Sequence, residues 1–511
     1  MKNKILAALL TLSFSATWAQ EPTDALRYSW LTPGGSARGQ AVGSATTALG
    51  GDFSSLFNNP AGLGLYKTGE FSITPGFAFN NTKAGYLNNE EKQGKSAINY
   101  GAMGLVTNLN GSRNGKWSFT LGLGLNRVAN FNNSTYFKGI NNQSSYSEKY
   151  LEELIKDNVT DPNSAAKNYP YGSSLAFNTF LIDTIQGPGG SVSGYKSLAN
   201  PQNGLIQEQR TNTKGGIVDY GIGVGASLMD KLYIGASLGL SGLKYDRTTE
   251  YTETDATKAI NNFDHFTVNE TLHTVGQGIN LKLGLIFKPV ENLRIGLSYQ
   301  TPTQYNMKDL YTTTVTTDLE GYAGSGKLTQ SSLDFTGNEP GNFQYTYHSP
   351  SKAAFGVAYV LNGMDDVKMQ KGFITADIEY INYASSGFSS IDNNTTTNDY
   401  FNNLNNTIKS QYKKALNYRI GGELKFNTIM VRAGVGIYGN PYSSVIPDKG
   451  SRMTISGGLG YRNKGYFVDL TYVHQISKDN YYPYRLADNV YQPANFRGTY
   501  GNLLLTLGVK F

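Results

Sequence analysis

The chain closes on Asn502-Leu503-Leu504-Leu505-Thr506-Leu507-Gly508-Val509-Lys510-Phe511, and the alternation in this stretch decides the fold. Side chains on a strand alternate between its two faces. Leu503, Leu505, Leu507, Val509 and Phe511 therefore share one face, and Asn502, Thr506, Gly508 and Lys510 the other. The same grammar recurs upstream. Trp117, Phe119, Leu121, Leu123 and Leu125 oppose Ser118, Thr120, Gly122 and Gly124; Tyr220, Ile222, Val224, Ala226 and Leu228 oppose Gly221, Gly223, Gly225 and Ser227; Ile429, Val431, Ala433, Val435 and Ile437 oppose Met430, Arg432, Gly434 and Gly436. Blocks of this length suit strands that cross a bilayer at a tilt of about 45°.

Fourteen such blocks are predicted, near 69–80, 98–108, 116–129, 214–228, 232–250, 265–287, 292–302, 346–361, 372–384, 413–426, 429–439, 450–461, 466–478 and 498–511. Short connections fall near 109–115, 229–231, 288–291, 362–371, 427–428 and 462–465, and long ones near 81–97, 130–213, 251–264, 303–345, 385–412, 440–449 and 479–497. Short turns on one side, long loops on the other and an even strand count predict an all-β fold, a transmembrane antiparallel β-barrel of about fourteen strands. A secreted β-sandwich or propeller shares the alternation but explains neither the loop asymmetry nor the terminal aromatic, and no blade-length repeat is visible. Phe511, with alternate apolar residues behind it, resembles the C-terminal signal by which bacterial outer-membrane barrels are recognised. Barrel assembly machinery is accordingly an expected partner.

Composition agrees with a barrel. The 511 residues are 39% apolar and 16% charged, with 59 glycines, 36 tyrosines and no cysteine, against averages of about 45–50% and about 25% in soluble domains. Averaging one lipid face with one polar face gives such a deficit. No run of 18 apolar residues follows residue 19, so a helical membrane protein is excluded. The absence of cysteine excludes disulfide scaffolds, thiolate nucleophiles and Cys-ligated metals. Lys2 and Lys4, the apolar stretch from Ile5 to about Phe14 and the exit through Ala16 and Ala19 predict a signal peptide over residues 1–19. The formal charge of +6 drops by the two lysines lost with it, too weak an excess to indicate nucleic acid as a partner.

Residues 20–68 lack the strand pattern and are rich in Gly, Ala and Ser. A segment preceding the first strand sits in the periplasm or in the lumen, and a lumen of this size needs water or a plug. The expected organisation is a signal peptide over 1–19, an N-terminal plug over 20–68 and a barrel over 69–511.

Gly35-Ser-Ala-Arg-Gly39 followed by Asp52-Phe-Ser-Ser-Leu-Phe57-Asn-Asn59-Pro60-Ala61-Gly62-Leu63 resembles the N-terminal signature of the FadL/TodX family of outer-membrane transporters for hydrophobic compounds. His348-Ser-Pro350 leading into Phe355-Gly-Val-Ala-Tyr359, Tyr418-Arg-Ile-Gly-Gly-Glu423 with Arg432-Ala-Gly434, and the closing strands from Thr454 resemble it more loosely. The resemblance implies a fourteen-strand barrel plugged by an N-terminal hatch, ligand capture in a groove among extracellular loops, and lateral release at a kinked third strand. Asn59, Pro60, Ala61 and Gly62 would then belong to the hatch and its gating. Pro also restricts its predecessor and removes a donor, so these residues form a tight turn. On the third strand the alternation breaks at Asn126 and Arg127, the candidate kink. An interfacial arginine reaching for headgroups is the alternative.

In the loop at 130–213, Ser145 and Glu148 match a capping box, and Leu151, Leu154, Ile155 and Val159 follow at helical spacing. Phe401, Leu404 and Ile408 repeat the pattern in the loop at 385–412. Leu151, Leu154, Ile155, Phe401 and Leu404 are the candidate capture groove; packing against the barrel mouth is their alternative role. Asp377 and Glu379 share a predicted inward face, expected as lining opposite Arg419 and neighbouring charges. His265 and His273 share a strand face but lie about 26 Å apart at strand rise, too far to share an ion. No catalytic constellation, metal site or cofactor is implied. The expected function is passive uptake of a hydrophobic compound, such as a long-chain fatty acid, by a monomer in a Gram-negative-type outer membrane, among lipid and lipopolysaccharide. A general aqueous porin and a surface adhesin or receptor, including a hemin-receptor-like role, are the alternatives.

Overall fold

A computed structural model describes residues 20–109, 117–324, 326–361, 371–391, 395–444, 446, 450–487 and 489–511. The signal peptide expected over 1–19 lies outside the described residues, as does most of the connections expected at 109–115 and 362–371. Among the described residues no helix is long and apolar enough to cross a membrane. The crossing is made by strands.

Fourteen strands form one antiparallel ring: β1 (Glu70–Tyr86), β2 (Asn89–Leu109), β3 (Trp117–Asn130, resuming as Asn133–Asn141), β4 (Leu205–Leu228), β5 (Leu232–Asp255), β6 (His265–Val290), β7 (Leu293–Gln300 and Gln304–Asp318), β8 (Gly341–His348 and Lys352–Leu361), β9 (Gly372–Asn382 and Gly387–Ser390), β10 (Lys414–Phe426), β11 (Ile429–Tyr438), β12 (Ser451–Asn463), β13 (Tyr466–Tyr481) and β14 (Ala494–Lys510). Each pairs with its chain neighbours, and β14 returns to β1 with Phe71 opposite Val509 and Phe77 opposite Leu503. Closure pairs the edges, which a bilayer interior demands. Leu123, Ile222, Leu240, Leu283, Leu297, Phe355, Ile378, Ile420, Leu459 and Leu503 stand exposed around the outside. That girdle of apolar side chains is the lipid face.

Residues 81–97, 251–264 and 303–345 were expected as loops, yet the strands largely continue through them. β1 and β2 run on to a two-residue turn at Leu87 and Asn88, both with positive φ, the hairpin geometry that matches strand twist. Beyond the membrane both strand faces meet water or polar loops, so the apolar half of the alternation disappears while the backbone ladder persists. At the opposite end the turns at Met229–Asp230, Asn427 and Lys464–Gly465 are tight and likewise use positive φ. β7 and β8 break side by side at Pro302 and Pro350, which have no N–H to give a ladder. Thr303 N instead donates to Ser349 Oγ at 3.0 Å, and Ser349 N to Thr303 O at 3.1 Å.

Candidate functional site

The N-terminal segment folds within the ring of strands. It contains α1 (Pro22–Arg27), α2 (Ala37–Ala41), α3 (Ser55–Asn58) and a 3-10 turn over Pro60–Leu65. Asp52 ties it together by accepting from Ser36 Oγ at 2.8 Å and from Ser54 N at 2.9 Å. It bonds to the wall all round: Ala37 N donates to Thr506 Oγ1 on β14 at 2.8 Å, Gly43 N to Ser456 Oγ on β12 at 3.2 Å, and Thr47 N to Asp377 Oδ2 on β9 at 3.0 Å. On the far side Ser237 Oγ of β5 donates to Leu56 O at 2.8 Å.

Inward glycines make this fit possible. A Cβ at Gly104 or Gly124 would enter the Phe53 ring, one at Gly221 would meet Phe57 at 2.7 Å, and one at Gly284 would collide with Asn59 Oδ1. Gly104, Gly124, Gly221 and Gly239 lie in one register across β2, β3, β4 and β5. Part of the glycine excess is thus the print of a wall packed closely on the N-terminal segment.

The Asn59–Gly62 turn has a reason for each residue. Asn59 Oδ1 accepts from Ala61 N at 3.2 Å, capping the 3-10 turn, and its Nδ2 donates to Thr47 O at 2.6 Å and to Leu285 O of β6 at 3.3 Å. Pro60 takes the first helical position, where no donor is needed. Ala61 is fully buried, and a Cβ on Gly62 would lie 2.6 Å from Ser55 Oγ.

Above this segment lie two cavities separated by Leu31, Thr32, Pro33 and Gly34, which line both. The smaller, about 100 Å³, is charged: Asp219 and Lys282 pair at 3.2 Å, and Arg419 stands 3.5 Å from Glu379 and 3.9 Å from Asp377, with Lys352 beside them. Glu379 is therefore neutralised lining, while Asp377, outside the lining, accepts from Thr47 N and Oγ1. The larger, about 470 Å³, is amphipathic, with Trp30, Val128, Phe131 and Phe496 among Arg127, Gln475 and Arg452.

The larger cavity meets a discontinuity in the wall. The β2–β3 ladder runs from Leu109 opposite Phe119 to Ala102 opposite Asn126 and ends there. On its other side β3 slips register against β4 between Arg127 and Ala129, a bulge. β3 then turns inward: Asn80 Nδ2 donates to Asn132 O at 3.1 Å, and the Phe137 ring packs tilted against Tyr86, 4.7 Å between centroids, inside the β1–β2 hairpin. Asn99 and Gly101 of β2 and Arg127 to Asn130 of β3 face the cavity from either side of this seam. Arg127 does not reach for lipid. Its Nη2 donates to Gly215 O at 2.7 Å and its Nε to Ala129 O at 3.1 Å, holding the bulge. Asn126 Oδ1 is buried and has no hydrogen-bond partner among the described residues.

The loop residues expected to form one groove fall into two separate clusters. α4 (Glu148–Lys156), α5 (Pro162–Lys167) and α6 (Ser173–Asn178) build a cap at the end of the barrel opposite the tight turns, in which Leu154 is fully buried, Leu151 lies at the edge and Ile155 points away, 66% exposed. Phe401 and Leu404, on α7 (Thr395–Gln411), pack instead on Ala25, Tyr345 and Phe388. The capping box is half formed: Ser145 N donates to Glu148 Oε1 at 3.2 Å, while Ser145 Oγ donates to Glu253 at 2.5 Å. Sequence reasoning missed Glu253. Beyond the lipid face at the outer end of β5, it also accepts from Tyr146 N, Tyr251 OH and Gln207 Nε2 at 2.7, 2.7 and 2.8 Å. Burial pushes its carboxyl up to about 7. On the outer rim Asp264, His265 and Asp318 each bring a ligand atom within 4.8 Å of the others; Asp264 Oδ2 lies 2.7 Å from His265 Nδ1, a hydrogen bond that accounts for that pair.

No family profile and no curated protein sequence matches the chain. Solved structures do. A Pseudomonas aeruginosa FadL homologue superposes with a TM-score of 0.54 at 13% identity, covering 94% of this chain and 99% of that one. The chain has the FadL fold. The Pseudomonas putida toluene transporter TodX matches this FadL-like barrel at a TM-score of 0.50 and 13% identity, with the same coverage. A deltaS2 mutant of the TodX monoaromatic hydrocarbon channel matches it at 0.51 and 14%, again over 94% and 99% of the two chains.

Proposed function

We propose that this chain is an outer-membrane channel for passive uptake of hydrophobic compounds. The observation that carries the reading is the amphipathic cavity abutting the β2–β3 seam, with the N-terminal segment packed across the ring beneath it. Lipopolysaccharide slows apolar solutes, so a protein contributes by binding them outside and moving them past the polar leaflet. In this reading a solute enters beneath the cap, rests against Trp30, Val128 and Phe131, and leaves sideways where the ladder between β2 and β3 has ended. Residues 20–68 act as a hatch that denies the axial route, with Asn59 to Gly62 as its anchor on β6. Ile155 and Leu151 offer apolar surface for first contact on the cap; Leu154, Phe401 and Leu404 hold the loops. No residue is assigned catalysis, and flux follows the gradient.

Long-chain fatty acids and monoaromatic hydrocarbons are the two ligand classes to be compared. The protein is exported by the segment over 1–19, inserted through recognition of Phe511 and works as a monomer among lipid and lipopolysaccharide. Phe511 N donates to Gly69 O at 3.1 Å, seating the terminus on the first strand. Proteoliposomes test the uptake reading: labelled oleate or toluene should enter faster than into protein-free vesicles, while small sugars should not. Sugar flux without hydrophobic flux would establish a porin instead.

A further inference from the structure

At the end of the barrel that carries the tight turns, a third cavity of about 610 Å³ opens between the N-terminal segment and the wall. Its lining is strongly one-signed. Among the described residues Arg38, Arg294, Lys425, Arg462, Lys464 and Lys510 face it against one carboxylate, Glu423. That carboxylate is already engaged, by Arg38 Nε at 3.2 Å and Arg432 Nε at 2.6 Å. Neighbouring acids are engaged as well: Asp469 lies 2.6 Å from Arg432 and 3.8 Å from Arg462, and Glu70 lies 3.3 Å from Lys510. Among the described residues Arg294 donates only to a neutral carbonyl, Leu49 O, at 2.6 Å. The Nε donors of Arg294 and Arg462 are buried with no acceptor among the described residues.

Gathering guanidinium groups in a partly desolvated cavity is unfavourable unless an anion joins them, and planar guanidinium donors match the oxygens of carboxylates and phosphates. Leu49, Val360, Phe373 and Phe467 give the lining an apolar part, beside Asn427, Thr428 and Asn463. We propose that this cavity is a binding site for an organic oxyanion, a carboxylate or phosphate carried on an apolar body. The charged head sits at Arg294 and Arg462 and the body lies on Phe373 and Phe467. The site is distinct from the two cavities above the N-terminal segment and does not rest on the uptake reading. Its occupant comes either from a soluble amphipathic acid or from a phospholipid headgroup of the periplasmic leaflet.

The test uses the full chain in neutral detergent and a photoreactive dodecanoate whose attachment is mapped by peptide mass spectrometry. Labelling is expected near Phe373 or Phe467. Dodecanoate and dodecyl phosphate should compete for it and dodecanol should not. Arg294→Gln with Arg462→Gln should reduce it at least tenfold. Because Arg294 also holds Leu49, Arg462→Gln with Lys464→Gln is measured alongside it, with heat-modifiable electrophoretic mobility reporting that the barrel is intact. Labelling there that dodecanol competes equally, or that survives both variants in intact barrels, overturns the proposal. Reconstitution separates the sources: competition in phosphatidylglycerol vesicles but not phosphatidylcholine vesicles identifies a headgroup, and equal labelling in both identifies a soluble acid. Toluene flux read on the same vesicles tests the uptake reading independently.

Discussion

At the level of single residues, the decisive chemistry is the removal of side chains. Gly284 faces Asn59 so closely that even one carbon is too many. Gly284→Val should therefore displace the Asn59 turn or strain β6 at a cost of at least about 1–3 kcal/mol, seen as a lower thermal midpoint and faster proteolysis of residues 20–66. Gly85, which has no positive φ and where a Cβ would meet only Asn495 O at 3.9 Å among the described residues, serves as the control. Asn59→Ala removes a cap worth about 1 kcal/mol and the bond to Leu285 O, and should loosen the same segment without unfolding the barrel. Arg432 is fully buried between Glu423 and Asp469 at 2.6 Å each. Arg432→Ala leaves buried Glu423 with Arg38 and buried Asp469 with the more distant Arg462 and should cost about 3–5 kcal/mol, whereas Arg432→Lys should recover part of it; equal stability of both variants with the parent would contradict this account. The Asn-Pro-Ala-Gly turn was legible because each residue obeys a local rule. Its partners Thr47 and Leu285 were not, since they are 12 and 226 positions away.

At the level of elements, two features depart from regular strand grammar. The break at Asn126 and Arg127 was readable as an interruption of alternation, but its form was not: the guanidinium is turned inward by carbonyls that the bulge itself presents. Deleting Val128 should restore an even register between β3 and β4, return the strand to the wall and suppress hydrophobic flux in proteoliposomes while sugar exclusion is retained. The cap is the second feature. Glu253 binds protons more readily in the closed cap than in an unfolded chain, where a glutamate titrates near about 4.3. Its contribution to cap stability is thus fully present below that value and lost as pH rises through about 7. Amide protection over residues 142–204, corrected for intrinsic exchange, should be greater near pH 5.5 than near pH 8, and Glu253→Gln should flatten the difference; a pH-independent wild type would refute the assignment. No periodicity marks Glu253, because a buried carboxylate is defined by the donors that converge on it.

At the level of the whole molecule, the filled interior sets the expected transport behaviour. The intact chain should give little ion conductance in planar bilayers, and deletion of residues 20–66 should produce large, steady openings; an open wild-type pore would remove the hatch. The sequence by itself determined the closed antiparallel ring, its strand count and which face meets lipid, because period-2 alternation is a local property and a bilayer forces every strand to declare its sides. It also placed the residues of the tight N-terminal turn. Only the tertiary structure decided how far the strands project past the membrane, that the loop leucines and aromatics divide between two clusters, where the wall parts beside the cavity, and how cations from the N-terminal segment, four strands and a turn gather at one mouth. Those features arise from residues brought together by closure across hundreds of positions, and the energy that fixes them is packing and charge between segments, to which no single stretch of chain contributes alone.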